Sequence, residues 1–410
     1  MDWEMNDTSN QSPANTQNPP SSGAPDLGDF LVSHGGPFFE LQRQLKLLRH
    51  NTLRVGPRAA LFVALAWGGP FLLGLPRNFS LEHSPEAYLA DLGVWAKFFS
   101  GIGAFVLAEQ QVEAGLKARL SHLVRTPIIA PTFIPAAASI VASTLRERDS
   151  RMAEFACLVL ALFASILSYL NLHAAQASSW AVEHLAAGNR VTLAGWWSIC
   201  VSLPLFVFLL LRGGWRHLLW ARMLRKLAKL DLRLVATHPD GKGGLAFLGR
   251  YPNAYAIFVF GLSCGIASVV AKSLAHEDPS ITMLSMVMSG WLAIVIGFFA
   301  YPLSAFTPPL LRLKEESLSL LAAQATQFCR SAERKTLGRN VFSDSANEPD
   351  TELSDPSKLY DATRKLSTIL VDRSAVVPVA AAALIPFAVA GATKLPFKEV
   401  LSLVKKLLLL

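Results

Sequence analysis

What most constrains this chain is a series of apolar blocks, each close to the length at which a helix crosses a hydrocarbon core, about 20 residues. The blocks occupy residues 57–75, 92–107, 152–172, 193–211, 254–271 and 281–301. A backbone surrounded by lipid must satisfy its own N–H and C=O groups, so all six are predicted to be helices. A seventh block, residues 375–392, contains Pro378 and Pro386 and is read either as a kinked crossing or as a segment that dips into the membrane and returns. With 52% hydrophobic and 17% charged residues and a mean hydropathy of +0.36, the 410 residues are too apolar for two soluble domains. The expected fold class is all-α, a polytopic transmembrane helix bundle of six or seven spans with cytoplasmic helical extensions.

The blocks divide the chain. Residues 1–35 are rich in Asn, Ser, Pro and Gln and poor in branched aliphatics, so they are expected to form a disordered tail. No charged segment followed by an apolar core opens the chain, so no cleavable signal is expected and the first span directs insertion. Residues 36–309 form the transmembrane domain, led by a short basic helix over residues 38–53. Residues 310–374 form a cytoplasmic helical segment with a polar linker, and residues 375–410 hold the seventh or re-entrant helix and a basic amphipathic tail.

The net charge of +8 raises nucleic acid as a partner, but the basic residues stand beside the apolar blocks, where orientation alone places them, and nucleic acid is set aside. Arg43, Lys46, Arg49 and Arg54 precede the first span, whereas the next loop holds Arg77 against Glu82, Glu86 and Asp91. The N-terminus is therefore expected in the cytoplasm. Later connections repeat the pattern, with Glu183, Arg190, Glu277 and Asp278 outside and two long basic loops inside. The apolar run over residues 126–145 is long enough to cross, yet Pro127, Pro131 and Pro135 interrupt it and both flanks are basic. A cytoplasmic or surface-lying segment fits that symmetry better. Lys394, Lys398, Lys405 and Lys406 conflict with the tally if the seventh helix crosses, unless the tail lies flat on the outer surface.

Candidate chemistry is sparse. Cys157, Cys200, Cys264 and Cys329 show no ligand spacing, and the nine histidines form no metal-binding pair, so neither disulfide nor metal nor other cofactor is expected. Gly261-Leu262-Ser263-Cys264-Gly265 spells a hydrolase nucleophile elbow, but it lies inside an apolar helix where the strand-to-helix turn is missing. The same glycines form a G-x-x-x-G pair, so helix packing is the role expected of Gly261 and Gly265. Ionisable groups inside spans mark ion paths when they face a cavity. Lys97, Glu109 and Glu113 are the candidates for a polar path, the two glutamates one turn apart on one face. The bland alternative is that all three reach the headgroup regions.

Between the basic extension of the fourth block and the fifth stands Thr237-His238-Pro239-Asp240-Gly241-Lys242-Gly243-Gly244-Leu245. Glycines among cations can gather backbone N–H groups into an anion nest, which makes His238, Asp240, Lys242, Gly243 and Gly244 a candidate ligand site. The favoured alternative is a structural corner, with Asp240 capping the following helix. This stretch, together with WWSICVSLPLFVFLLLRGGWR, RERDS and the closing LPFKEVLSLVKKLL, resembles a family of uncharacterised multi-pass bacterial inner-membrane proteins with a Thr-His-Pro-Asp-x-x-Gly-Gly-Leu motif. The resemblance implies the same location and carries no activity. No catalytic residues are expected. The partners expected are the bilayer, anionic lipid headgroups or a small anion, and a second copy of the chain. Two readings follow: a channel or transporter for a small solute or anion, or a scaffold or sensor that binds a cytoplasmic partner or anionic lipid.

Overall fold

The computed structural model describes residues 35–45, 47, 54–78, 88–172, 180–185, 188–276, 280–343 and 354–409. The expected tail up to residue 34, the second half of the basic helix that follows it (46 and 48–53) and the centre of the polar linker lie outside these residues. The fold is all-helical, with seven helices among the described residues long and apolar enough to cross a membrane. They cover Val55–Leu75, Leu92–Arg125, Arg151–Leu170, Leu193–Leu227, Ala246–Ser273, Ile281–Leu337 and Ser374–Ala392. Val182–Leu185 and Gly188–Val191 pair as a short antiparallel hairpin before the fourth span.

Successive spans run in opposite directions, so the bundle has two chemically different ends. Arg58, Glu154 and Arg212, on the first, third and fourth spans, are drawn to one level by ion pairs to one another or to Glu109 of the second span. Arg58 and Glu154 stand one turn inside the starts of their helices. Glu109 and Arg212 instead lie 16 and 15 residues before the ends of theirs, Arg125 and Leu227. At about 1.5 Å per residue the second and fourth spans therefore continue more than 20 Å beyond this level. Those extensions carry the basic loops and form a helical layer outside the crossing region.

The proline-broken run 126–145 belongs to this layer. Helix Ile134–Arg148 packs along the extension of the fourth span, burying Ala137 and Val141 in the same core as Leu224 and Leu227. It cannot start earlier, because Pro127 and Pro131 disfavour helix in the stretch 126–130 and hold Thr126 and Ala130, the residues before them, extended. That stretch pairs with residues 231–233 through Ala130 N–H to Asp231 O at 3.3 Å and Arg233 N–H to Ile128 O at 2.6 Å. Helix Thr307–Leu337 leaves the sixth span with Pro308 and Pro309 in its first turn, where their missing N–H groups have no partner to lose.

At the opposite end three spans each contain one wide, π-type turn: Ala64–Gly68, Trp95–Gly101 and Ser198–Ser202. Such a turn disturbs the regular hydrogen-bond ladder and leaves carbonyls open to other donors. Here Leu65 O accepts from Trp197 Nε1 at 2.9 Å, Ala66 O from Ser202 Oγ at 2.6 Å and Trp67 O from the Tyr88 hydroxyl at 2.6 Å. The seventh helix, Arg373–Ala392, is continuous through Pro378 and Pro386. Its 20 residues reach about 30 Å, a full hydrocarbon thickness. It packs on the fifth and sixth spans, and Phe397–Leu409 then folds back against it, with Val400 and Leu407 buried.

Candidate functional site

The strongest concentration of buried charge is the cluster that sets the common level. Glu109 accepts from Arg58 Nη2 and from Arg212 Nη1, each at 2.7 Å, and lies 3.6 Å from Arg216 Nη1. Glu154 accepts from Arg212 Nε at 2.9 Å and, through its other oxygen, from the Phe38 backbone N–H at 2.7 Å. Arg58 Nε donates to Gln42 Oε1 at 2.6 Å. The Arg58 and Arg212 side chains are only 2% and 3% exposed, so these pairs act with little solvent screening. Helix Pro37–Gln44 is thereby fastened over the basic end of the bundle, with Arg212 also lying over the Phe38 ring. Removing one member of such a buried pair costs about 3–5 kcal/mol, because its partner stays charged and buried.

Beside the cluster a groove of about 1300 Å³ opens on the lipid-facing side between the third and sixth spans, floored by the fourth and fifth. Its walls descend through Met152, Cys157 and Leu160 on one side and Phe298, Ile294 and Trp291 on the other. Eight residues of helix on either wall give it about 12 Å of depth along the span. All its charged lining lies at the basic end: Arg146, Glu147 and Arg222, with Ser150 beside them. Lys226 adds a further cation there, 3.2 Å from Glu147, and the Arg222 guanidinium lies over the Trp215 ring.

The Thr237–Leu245 stretch is a closed corner. Asp240 accepts the backbone N–H of Lys242 at 2.8 Å, of Gly244 at 3.1 Å and of Ala246 at 3.0 Å, and His238 Nδ1 lies 2.8 Å from its Oδ1. As in the favoured corner reading, this internal carboxylate takes the N–H groups that a nest would offer to an outside anion. Burial raises the Asp240 pKa, but the three N–H donors and His238 outweigh it and hold the group below its ordinary range. Lys242 Nζ reaches Leu370 O at 3.1 Å, and Ser367 N–H donates to Gly241 O at 2.9 Å, so the corner clamps residues 366–372 just before the seventh span. Gly241, Gly243 and Gly244 all have positive φ, which explains three glycines in four positions. A side chain on Gly243 would also press on Leu310.

The residues of the expected polar path are not brought together. Lys97 is half-buried on the π-type turn near the opposite end, 12 residues and about 18 Å along the helix from Glu109. Glu109 is held by arginines, and Glu113 is buried one turn further toward the basic end. Gly261 and Gly265 stand where the fifth span meets its neighbours: a Cβ at Gly261 would lie 2.9 Å from Ala104 Cβ and 3.1 Å from Gly101 O, and one at Gly265 would lie 3.0 Å from the Phe206 ring. Ser263, between them, accepts from Trp291 Nε1 at 2.9 Å inside a continuous helix, the wrong setting for a nucleophile elbow. Among the described residues no group of His, Cys, Asp and Glu could hold a metal.

Sequence reasoning missed the cluster's other members. Arg58 and Glu154 are opposite charges at the starts of two apolar blocks, and Arg212 is the first charge beyond another. That matched depth was the available signal. No family model, curated protein or solved structure matches the chain.

Proposed function

We propose that this multi-pass membrane protein binds an anionic phospholipid in its lateral groove, with the basic end facing the cytoplasm of a bacterial inner membrane. The observation that carries the reading is the groove itself. Its 1300 Å³ exceeds the roughly 300–1,000 Å³ of an ordinary small-molecule pocket, its walls at membrane depth are hydrocarbon, and its cations sit at the end where headgroups lie. An acyl chain along Leu160 and Ile294 places a phosphate near Arg146 and Arg222, beside Trp215, a residue suited to that depth. The basic residues gathered at that end support its cytoplasmic placement. Passage of a small solute ranks second, because it needs a polar route and the buried charges Arg58, Glu109, Arg212 and Glu154 are tied to one another.

Lipid extraction and native mass spectrometry of the full-length protein in mild detergent test this. The expected result is enrichment of phosphatidylglycerol or cardiolipin over phosphatidylethanolamine relative to the host membrane. Substituting Arg146→Gln with Arg222→Gln removes two headgroup cations of about 1 kcal/mol each, lowering retention about 10- to 30-fold. Lipid of host composition in both proteins would sink the assignment.

A further inference from the structure

The large groove has a neighbour on the other flank of the third span. A second apolar groove, of about 690 Å³, lies between the third and fourth spans, with Pro37, Phe38 and Leu41 of helix Pro37–Gln44 along its rim. We propose that the two grooves together hold one cardiolipin, a lipid with two phosphates and four acyl chains, astride the start of the third span at the basic end. The inference rests on the lipid reading of the large groove and names which anionic lipid it takes.

The third span is the ridge between them. Ala153, Ala156 and Leu160 line the large groove, whereas Arg151, Phe155 and Leu158 line the smaller. Each set recurs at helical spacing, and the turn of the helix puts the two stripes on nearly opposite flanks. Met152, 77% exposed, lines both grooves, so they meet at the basic end of the ridge. On the fourth span the smaller groove reaches Pro204, eight residues before Arg212, which carries it about 12 Å below the level of the buried charges. Both grooves therefore offer hydrocarbon walls to an acyl chain, one for each half of the lipid.

The charges at the meeting point suit two phosphates. Arg146 and Ser150 line the large groove, and Arg151, the next residue, lines the smaller. Arg146 and Arg151 are exposed and form no ion pair among the described residues. The carboxylates around them are engaged: Glu147 by Lys226 at 3.2 Å, Asp149 by Arg148 at 2.8 Å, and Glu154, on the wall of the smaller groove, by Arg212 at 2.9 Å. Two separate monophosphate lipids would each lose their own translational freedom on binding there. In cardiolipin a glycerol joins the phosphates, so once one half is seated the other meets its groove at high effective concentration.

The test titrates the full-length, delipidated protein in detergent with cardiolipin or phosphatidylglycerol and reads bound lipid by native mass spectrometry. Wild type should take up one cardiolipin, with half-saturation at a concentration roughly tenfold lower, or more, than for phosphatidylglycerol. Arg151→Gln and Leu158→Trp change exposed residues that line the smaller groove and not the large one. Each should weaken cardiolipin about fivefold or more and leave phosphatidylglycerol, seated in the large groove, unchanged, whereas Arg146→Gln with Arg222→Gln should weaken both lipids. The wild-type comparison decides by itself if a variant does not fold. Equal half-saturation by the two lipids would overturn the bridge and leave the large groove its lipid. So would smaller-groove variants that weaken both lipids alike or neither. Wild type that binds neither lipid would sink the groove reading and the bridge together.

Discussion

Asp240 shows how a single carboxylate can account for a whole motif. It supplies from within the negative charge that a glycine-rich turn among cations would otherwise draw from outside, and the turn then holds residues 366–372 in place. Asp240→Ala strands three N–H groups, and a loss of about 2–3 kcal/mol is expected, the scale of one or two charge-assisted bonds at a partly buried site. The pH dependence has a definite sign. Because the folded carboxyl titrates below its unfolded value of about 3.9, its contribution is complete above that value and is lost as pH falls through the lower folded one. Unfolding of wild type and Asp240→Asn between neutral and acid pH checks this: the curves should converge at the acid end. The turn was legible in the sequence, since glycines and an Asx residue announce it. Asp240 as its internal acceptor was legible too, as the favoured corner reading; that the corner also holds Ser367 and Leu370 was not, because those residues lie more than 120 positions along the chain.

Among the elements, the fifth span separates packing glycines from idle ones. Gly261 lies against Ala104 and the Gly101 carbonyl, whereas Gly297, in the sixth span, has nothing within 4 Å of the position a Cβ would take. Gly261→Val forces two helices apart, and about 1–3 kcal/mol of destabilisation is expected, while Gly297→Ala should be neutral or slightly stabilising because it only restricts the unfolded chain. Thermal unfolding of both variants checks the contrast, and a Gly261→Val protein as stable as wild type would remove the packing role. The G-x-x-x-G spacing pointed to Gly261 without the fold. The π-type turn Ala64–Gly68 had no sequence signal, since three of its carbonyls take donors from other segments: Trp197, Ser202 and Tyr88.

For the whole molecule, the two ends differ in chemistry, and orientation follows from it. Cys329, on the exposed projection of Thr307–Leu337, lies at the basic end, and Lys398, on Phe397–Leu409, lies exposed at the other. If the basic end is cytoplasmic, a membrane-impermeant maleimide added to intact cells should label Lys398→Cys in a Cys329→Ser background and leave Cys329 of the wild type unlabelled until the cells are opened. The reverse pattern would invert the topology and place the cationic rim of the groove in the outer leaflet. The lysines of the last helix, which run against the positive-inside tally, are accommodated because that helix packs back on the seventh span and the start of the sixth as a surface element.

The apolar blocks alone determined that the chain is a helical membrane bundle, because hydrocarbon leaves a backbone few ways to satisfy itself. The proline spacing likewise placed the breaks in the run 126–145. Only the tertiary structure decided where the buried charges meet, since Arg58, Glu109, Glu154 and Arg212 come from four helices up to 154 residues apart and pairing depends on their common depth. It also decided that the seventh block is one continuous helix, because its prolines are tolerated where neighbouring helices pack around them. Depth and neighbourhood are properties of the assembled bundle, and no local pattern of residues encodes them.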